Sequence, residues 1–179
     1  MPKSLSKVQK HIVKKRGGKA TSLHENSRDS QRLRRAGARD DKIAKVSASR
    51  AKSNRPHLRR IVFFQDAAEE TTEPFTLQGV QALIQRYIGR DDEELAKLKK
   101  ERRPGRPSSA REDVLKLSIA TEEREYETGY WVPDMEDADN VDDLKRWTGD
   151  WSALNTLKFV RISSTGVKHI SSFPPKGES

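Results

Sequence analysis

The segment LQGVQALIQRYIG, Leu77 to Gly89, carries the clearest periodic signal in the chain. Leu77, Val80, Leu83, Ile84, Tyr87 and Ile88 fall on one stripe of a 3.6-residue helix. Gly89 closes that helix at its C-terminus. The next stretch, DDEELAKLKKERR, restarts with acids in its first turn and bases in its last, as the helix dipole favours. Pro104 and Pro107 cannot sit inside a regular helix. Ser109 to Glu112 then has the S-x-x-E form of a capping box and opens another helix, which Gly129 can end. The centre of the chain therefore reads as helix, helix, basic loop, helix.

Working outward toward the N-terminus, Pro56 resets the chain. PHLRRIVFFQDAAEE reads as a helix with Leu58, Ile61, Val62 and either Phe63 or Phe64 inward. Residues 27–53 lack proline and favour a long helix, polar nearly all round, which needs a partner surface. Residues 1–22 read as extended and disordered in isolation. Toward the C-terminus, NVDDLKRW is a short helix and TLKFVRIS an extended, strand-like segment. From Ser164 the chain reads as a flexible tail. The fold class expected is all-α: a small irregular helical body with a long basic N-terminal arm and helix and a short C-terminal extended segment. The divisions are 1–55 for the basic arm and polar helix, 56–163 for the body, and 164–179 for the tail.

Charge is divided unequally. The 179 residues carry a net charge of +9. Residues 1–60 hold 19 Lys/Arg against 4 Asp/Glu, and residues 61–179 hold 17 against 23. A basic arm thus joins a mildly acidic body, and the arm implies a polyanionic partner. Residues 1–60 contain no Phe, Trp or Tyr. Such an arm grips phosphates but cannot stack bases, which favours shape and backbone recognition of folded nucleic acid. KKRGGK (Lys14 to Lys19) reads either as a nuclear import signal or as a solvated tail.

The candidate RNA-binding residues follow. In the arm they are Lys3, Lys7, Lys10, Lys14, Lys15, Arg16, Lys19, Arg28, Arg32, Arg34, Arg35 and Arg39. In the basic knuckle of the body they are Lys99, Lys100, Arg102, Arg103 and Arg106, with Lys97 and Arg111 beside them. Pro104-Gly105-Arg106-Pro107 approaches the Arg-Gly-Arg-Pro hook that enters the minor groove of A·T-rich DNA. The hook needs arginine before the glycine, and Pro104 stands there.

Nothing points to catalysis. There is no cysteine, and the four histidines have no metal-ligand spacing. DMEDADNVDD fails as a calcium loop, because Asp142 stands where glycine is needed. No metal or cofactor is expected. No apolar run approaches the length of a membrane span, and Met1 to Lys19 lacks the apolar region of a secretory signal. Trp131, Trp147 and Trp151 are read as core rather than as base-stacking platforms, since Asp134, Glu136, Asp137, Asp139, Asp142 and Asp143 around them would repel phosphate.

The chain resembles the translation machinery-associated protein 16 family, and its fungal members most closely. The resemblance rests on an ordered set: MPKSLSKVQK, RDDKIAK (Arg39 to Lys45), RDDEELAKLKKERRPGRPSS (Arg90 to Ser109), GYWVPDMEDADN (Gly129 to Asn140) and RWTGDWSALNTLKFVRI (Arg146 to Ile162). It implies a non-enzymatic ribosome biogenesis factor, a component of nuclear pre-60S ribonucleoprotein particles. It implies contacts with ribosomal RNA, large-subunit ribosomal proteins and other assembly factors, and a nuclear or nucleolar location with shuttling to the cytoplasm allowed. No membrane contact and no homo-oligomer are expected. The alternative is a chromatin or DNA-associated basic protein using the Arg102–Pro107 loop.

Overall fold

The computed structural model describes residues 4–15, 17, 23–71, 75–103 and 105–175. The chain divides into two compact units, 1–55 and 56–179.

In the first unit, residues read as extended form a helix, α1 (Leu5–Lys15). Its apolar side chains recur at Leu5, Val8 and Ile12, spaced for one face. Val8 and Ile12 are buried with Ala36, and Leu23 and Leu33 pack beside them. Asp40 accepts the Leu5 N–H at 2.8 Å, satisfying one of the free donors at the start of α1. The charge of the stretch hid this short stripe from the sequence reading.

The second helix, α2, runs from Arg28 to Glu69 without a break and contains Pro56. The expected reset there does not occur. Pro56 has no N–H to give the Lys52 carbonyl, but residues 50–53 are exposed, so water can take that carbonyl. Downstream, Ile61 and Phe64 anchor the helix in the core of the second unit. Val62, expected inward, is exposed, and Phe63 is only partly buried.

The central reading holds closely. α3 (Leu77–Ile88) is capped by Thr76, whose hydroxyl accepts the Gly79 N–H. Val80, Ile84, Tyr87 and Ile88 are buried, with Leu77 and Leu83 packed against them. A 3-10 turn over Gly89–Asp91 leads into α4 (Asp92–Glu101), and α5 spans Ala110–Thr128. Ser109 caps α5 by accepting the Glu112 N–H at 3.1 Å. Gly129 ends it at φ 142°, a conformation that L side chains rarely adopt.

The all-α expectation needs correcting. β1 (Tyr130–Pro133), β2 (Phe159–Ile162) and β3 (Lys168–Ser171) form an antiparallel sheet in that spatial order. Trp131 opposes Arg161, and Val160 opposes Ile170. All four β1 residues are buried, so no apolar–polar alternation marks the strand in the sequence. β3 lies within the stretch expected as a flexible tail, and Phe173 packs on Trp151 and Phe159. The backbone requirement that a lone extended segment find partners is what recruits β1 and β3 to the predicted β2. Short α6 (Ala138–Lys145) is tied to the sheet by buried Asn140. Its amide donates to the carbonyls of Asp134 (2.8 Å) and Lys158 (3.0 Å) and accepts the Lys158 N–H (2.7 Å).

Two arginines fasten α5 to the rest of this unit. Arg60 of α2 makes a bidentate pair with Glu125 at 2.7 Å, donates to the Trp131 carbonyl and lies 3.8 Å over the Tyr130 ring. One turn earlier on α5, Glu122 takes Arg90, which lies 3.9 Å over the Tyr87 ring. α5 is therefore held firmly where its other end, at Ser109, carries the basic knuckle.

Candidate nucleic-acid interface

The knuckle is built at the junction of α4 and α5. The last turn of α4 supplies Lys99 and Lys100. Arg106 then donates its N–H to the Arg103 carbonyl at 3.2 Å, closing a tight turn in which Gly105 has φ 83°. A turn of this kind requires φ > 0 at its third position, which glycine supplies without strain. It sets Arg103 and Arg106 at the two ends of one turn, which is not the extended form of a minor-groove hook. An open cleft of about 720 Å³ lies here, lined by Leu98, Arg102, Arg103, Arg106, Ser109 and Glu112 among others.

Ion pairs sort the bases of the knuckle. Arg111 is bidentate to Glu94 at 2.8 Å, tying α5 to α4. Glu112, only 1% exposed, lies 2.6 Å from Lys116 and 3.5 Å from Arg102. Lys116, with Arg102, holds the Glu112 carboxyl below the usual range despite its burial. Arg102 thus has a structural partner. Lys99, Lys100, Arg103 and Arg106 are exposed and have no ion-pair partner among the described residues. Elsewhere in this unit Lys158 pairs with Asp137, and Lys168 with Asp134 and Glu136. Three of the acids around the tryptophans, Asp134, Glu136 and Asp137, are thus paired with lysines of β3 and of the approach to β2.

In the first unit the predicted bases fall into register. Lys7, Lys10 and Lys14 share the face of α1 opposite Val8 and Ile12, and all three are exposed with Lys15. Lys15 lies 3.9 Å from Asp29. Arg28, Arg32, Arg35 and Arg39 follow at i, i+4, i+7 and i+11 along α2 and form one exposed stripe. Arg34 points elsewhere and donates to the Glu25 carbonyl at 2.7 Å. The stripe continues through Lys42 and Arg50, which the sequence reading did not include. Both line a shallow cleft with Arg39, Ile43 and Val46. The signal that finds them is the helical period carried on past residue 39. Lys3, Arg16 and Lys19 lie outside the described residues.

The rival sites resolve into structure. Trp131 and Trp147 are buried. Trp131 stacks on Phe159 with centroids 4.3 Å apart. Trp151 is partly buried between His57 and Phe173. Among the described residues no three His, Asp or Glu side chains gather as metal ligands, and no helix is long and apolar enough to cross a membrane.

The profile of the family described as translation machinery-associated protein 16 matches residues 19–164. A protein of that name from Saccharomyces cerevisiae is 39% identical over 168 residues, covering 92% of this chain and 93% of its own. This chain belongs to the translation machinery-associated protein 16 family. Relatives extend into animals. The Danio rerio protein is 26% identical over 80% of this chain and 77% of its own. The Drosophila melanogaster homolog is 27% identical over 87% and 90%. The matched span takes in both the arginine stripe of α2 and the knuckle.

Proposed function

We propose that this chain is a non-catalytic assembly factor that binds precursors of the large ribosomal subunit through the backbone of structured ribosomal RNA. The observation that carries the reading is the division of bases. In the body, Arg60, Arg90, Arg111, Lys116, Lys158 and Lys168 are engaged by carboxylates, whereas the arginine stripe of α2 and four clustered bases of the knuckle face solvent without ion pairs among the described residues. Unpaired arginines set at helical spacing suit a row of phosphates. The relatives' name, translation machinery-associated, points to ribosomal partners rather than chromatin. The acidic body offers faces for basic ribosomal proteins and other assembly factors, and such work takes place in the nucleus and nucleolus.

The test compares RNA duplex with DNA duplex of equal length at physiological salt. Arg102 is left intact, because a carboxylate there would face buried Glu112. Arg103→Glu with Arg106→Glu should leave circular dichroism unchanged and weaken RNA binding. Preference for DNA over structured RNA, or full RNA affinity in the double variant, would sink the reading.

A further inference from the structure

We propose that Ser109 is a phosphorylation site and that its phosphate closes the knuckle to RNA. The idea rests on the knuckle being an RNA contact, as above. Arg106 stands three residues before Ser109, with Arg102 and Arg103 further upstream. That is the pattern of bases read by kinases whose peptide grooves carry carboxylates. Ser109 is exposed, whereas its neighbour Ser108 is half-buried. Its backbone is extended at φ −76°, ψ 154°, and Arg106 to Ser108 are non-helical and need no unwinding to enter such a groove. Ala110 and Arg111, which follow it, are exposed too.

The transfer is ordinary phosphoryl chemistry. The Ser109 hydroxyl oxygen attacks the γ-phosphorus of ATP, and an O–P bond forms. The bond from that phosphorus to the bridging oxygen of ADP breaks, and ADP leaves with the electron pair. The hydroxyl proton passes to the kinase's catalytic carboxylate.

Once attached, the phosphate lies in the cleft lined by Arg102, Arg103 and Arg106. It carries about −1.5 to −2 charges and three acceptor oxygens. Arg103 and Arg106, which have no ion-pair partner among the described residues, can turn onto it. It is the same chemical group that RNA would bring to them, so it competes for them from within the chain. Helix α5 survives the change. An oxygen at position 109 still accepts the Glu112 N–H, and negative charge is favoured at a helix N-terminus. The Glu112 carboxylate opposes the phosphate weakly, since Lys116 and Arg102 already attend it.

The full chain is incubated with a purified basophilic serine kinase and Mg-ATP, mapped by peptide mass, and titrated with RNA duplex over a range of salt. One phosphate should appear at Ser109, and Arg106→Ala should reduce it. Ser109→Ala and Ser109→Asp should abolish it, the second while keeping a helix cap. Losing two phosphate contacts should make the slope of log affinity against log salt shallower by about 2. Absence of phosphate at Ser109 overturns the proposal. So does a phosphorylated chain with unchanged slope when Arg103→Glu with Arg106→Glu still weakens binding. If that double variant binds RNA normally, the RNA reading itself fails and takes this inference with it.

Discussion

Arg60 and Arg90 meet their glutamates with nearly the same geometry, yet the two pairs differ in what their loss costs. The side chains of Arg60 and Glu125 are 6% and 17% exposed, against 31% and 13% for Arg90 and Glu122. For Arg60, burial works against the charge. The Glu125 hydrogen bond, with help from the charge interactions of the Tyr130 phenol group and of Glu125, outweighs it, so the pKa ends above its usual value. Glu125→Gln leaves a buried guanidinium without its counter-charge and should cost about 3 kcal/mol or more. Glu122→Gln, with Arg90 still open to water, should cost about 1 kcal/mol or less. Urea melts of both variants check the order, and equal losses would show that burial does not govern these pairs. None of this was legible in the sequence. Residues 60 and 125 are two charges among many, and a pairing across 65 positions leaves no periodic trace. Trp131 was legible, because a large apolar side chain in a body poor in them has few places to go other than the core.

Among the elements, those with a repeating stripe and a marked end were readable. α3 has six apolar residues in phase, and α5 has Ser109 to start it and Gly129 to stop it. α1 has a stripe of three in a strongly basic stretch. β1 has four consecutive buried residues and no alternation at all. β3 lies among residues whose composition resembles a tail, and Ile170 on it is 94% exposed. Such strands are specified by their neighbours. Three carboxylates at element ends make the fold sensitive to acid. The hydrogen bonds from Lys116, Arg111 and Lys158 lower the pKa values of Glu112, Glu94 and Asp137, respectively. Groups depressed on folding contribute stability above their unfolded values, near pH 4, and lose it as pH falls through the folded ones. The chain should therefore hold a constant melting temperature from about pH 7 to 5 and lose it progressively below about 4. Thermal melts across that range, with Lys158→Met expected to flatten the Asp137 share, provide the check.

At the scale of the whole molecule, the charge split legible in the sequence corresponds to two different kinds of order. The second unit is held by a large core of buried residues from helices and sheet alike. The first has a core of three, Val8, Ile12 and Ala36. If unpaired bases carry binding, the full chain should lose roughly a thousandfold in RNA affinity between 50 and 200 mM salt for about six phosphate contacts. Charge reversal at Arg32, Arg35 and Arg39 should remove about half of that slope without moving the melting temperature of the second unit. An unchanged slope would take the stripe out of the interface. On the RNA binding proposed above, the three-residue core also bears on how the chain would let go. Seating α1 on α2 hides little apolar surface, so α1 can lift away while the stripe and knuckle stay engaged. Departure then proceeds as peeling, one weak foothold at a time, each refilled from the tethered remainder unless something else takes the vacated phosphates. Dwell time on RNA should consequently shorten as a competing basic protein is added, at a fixed concentration of the chain itself. Fixing α1 to α2 by a chemical cross-link should make the dwell insensitive to that competitor.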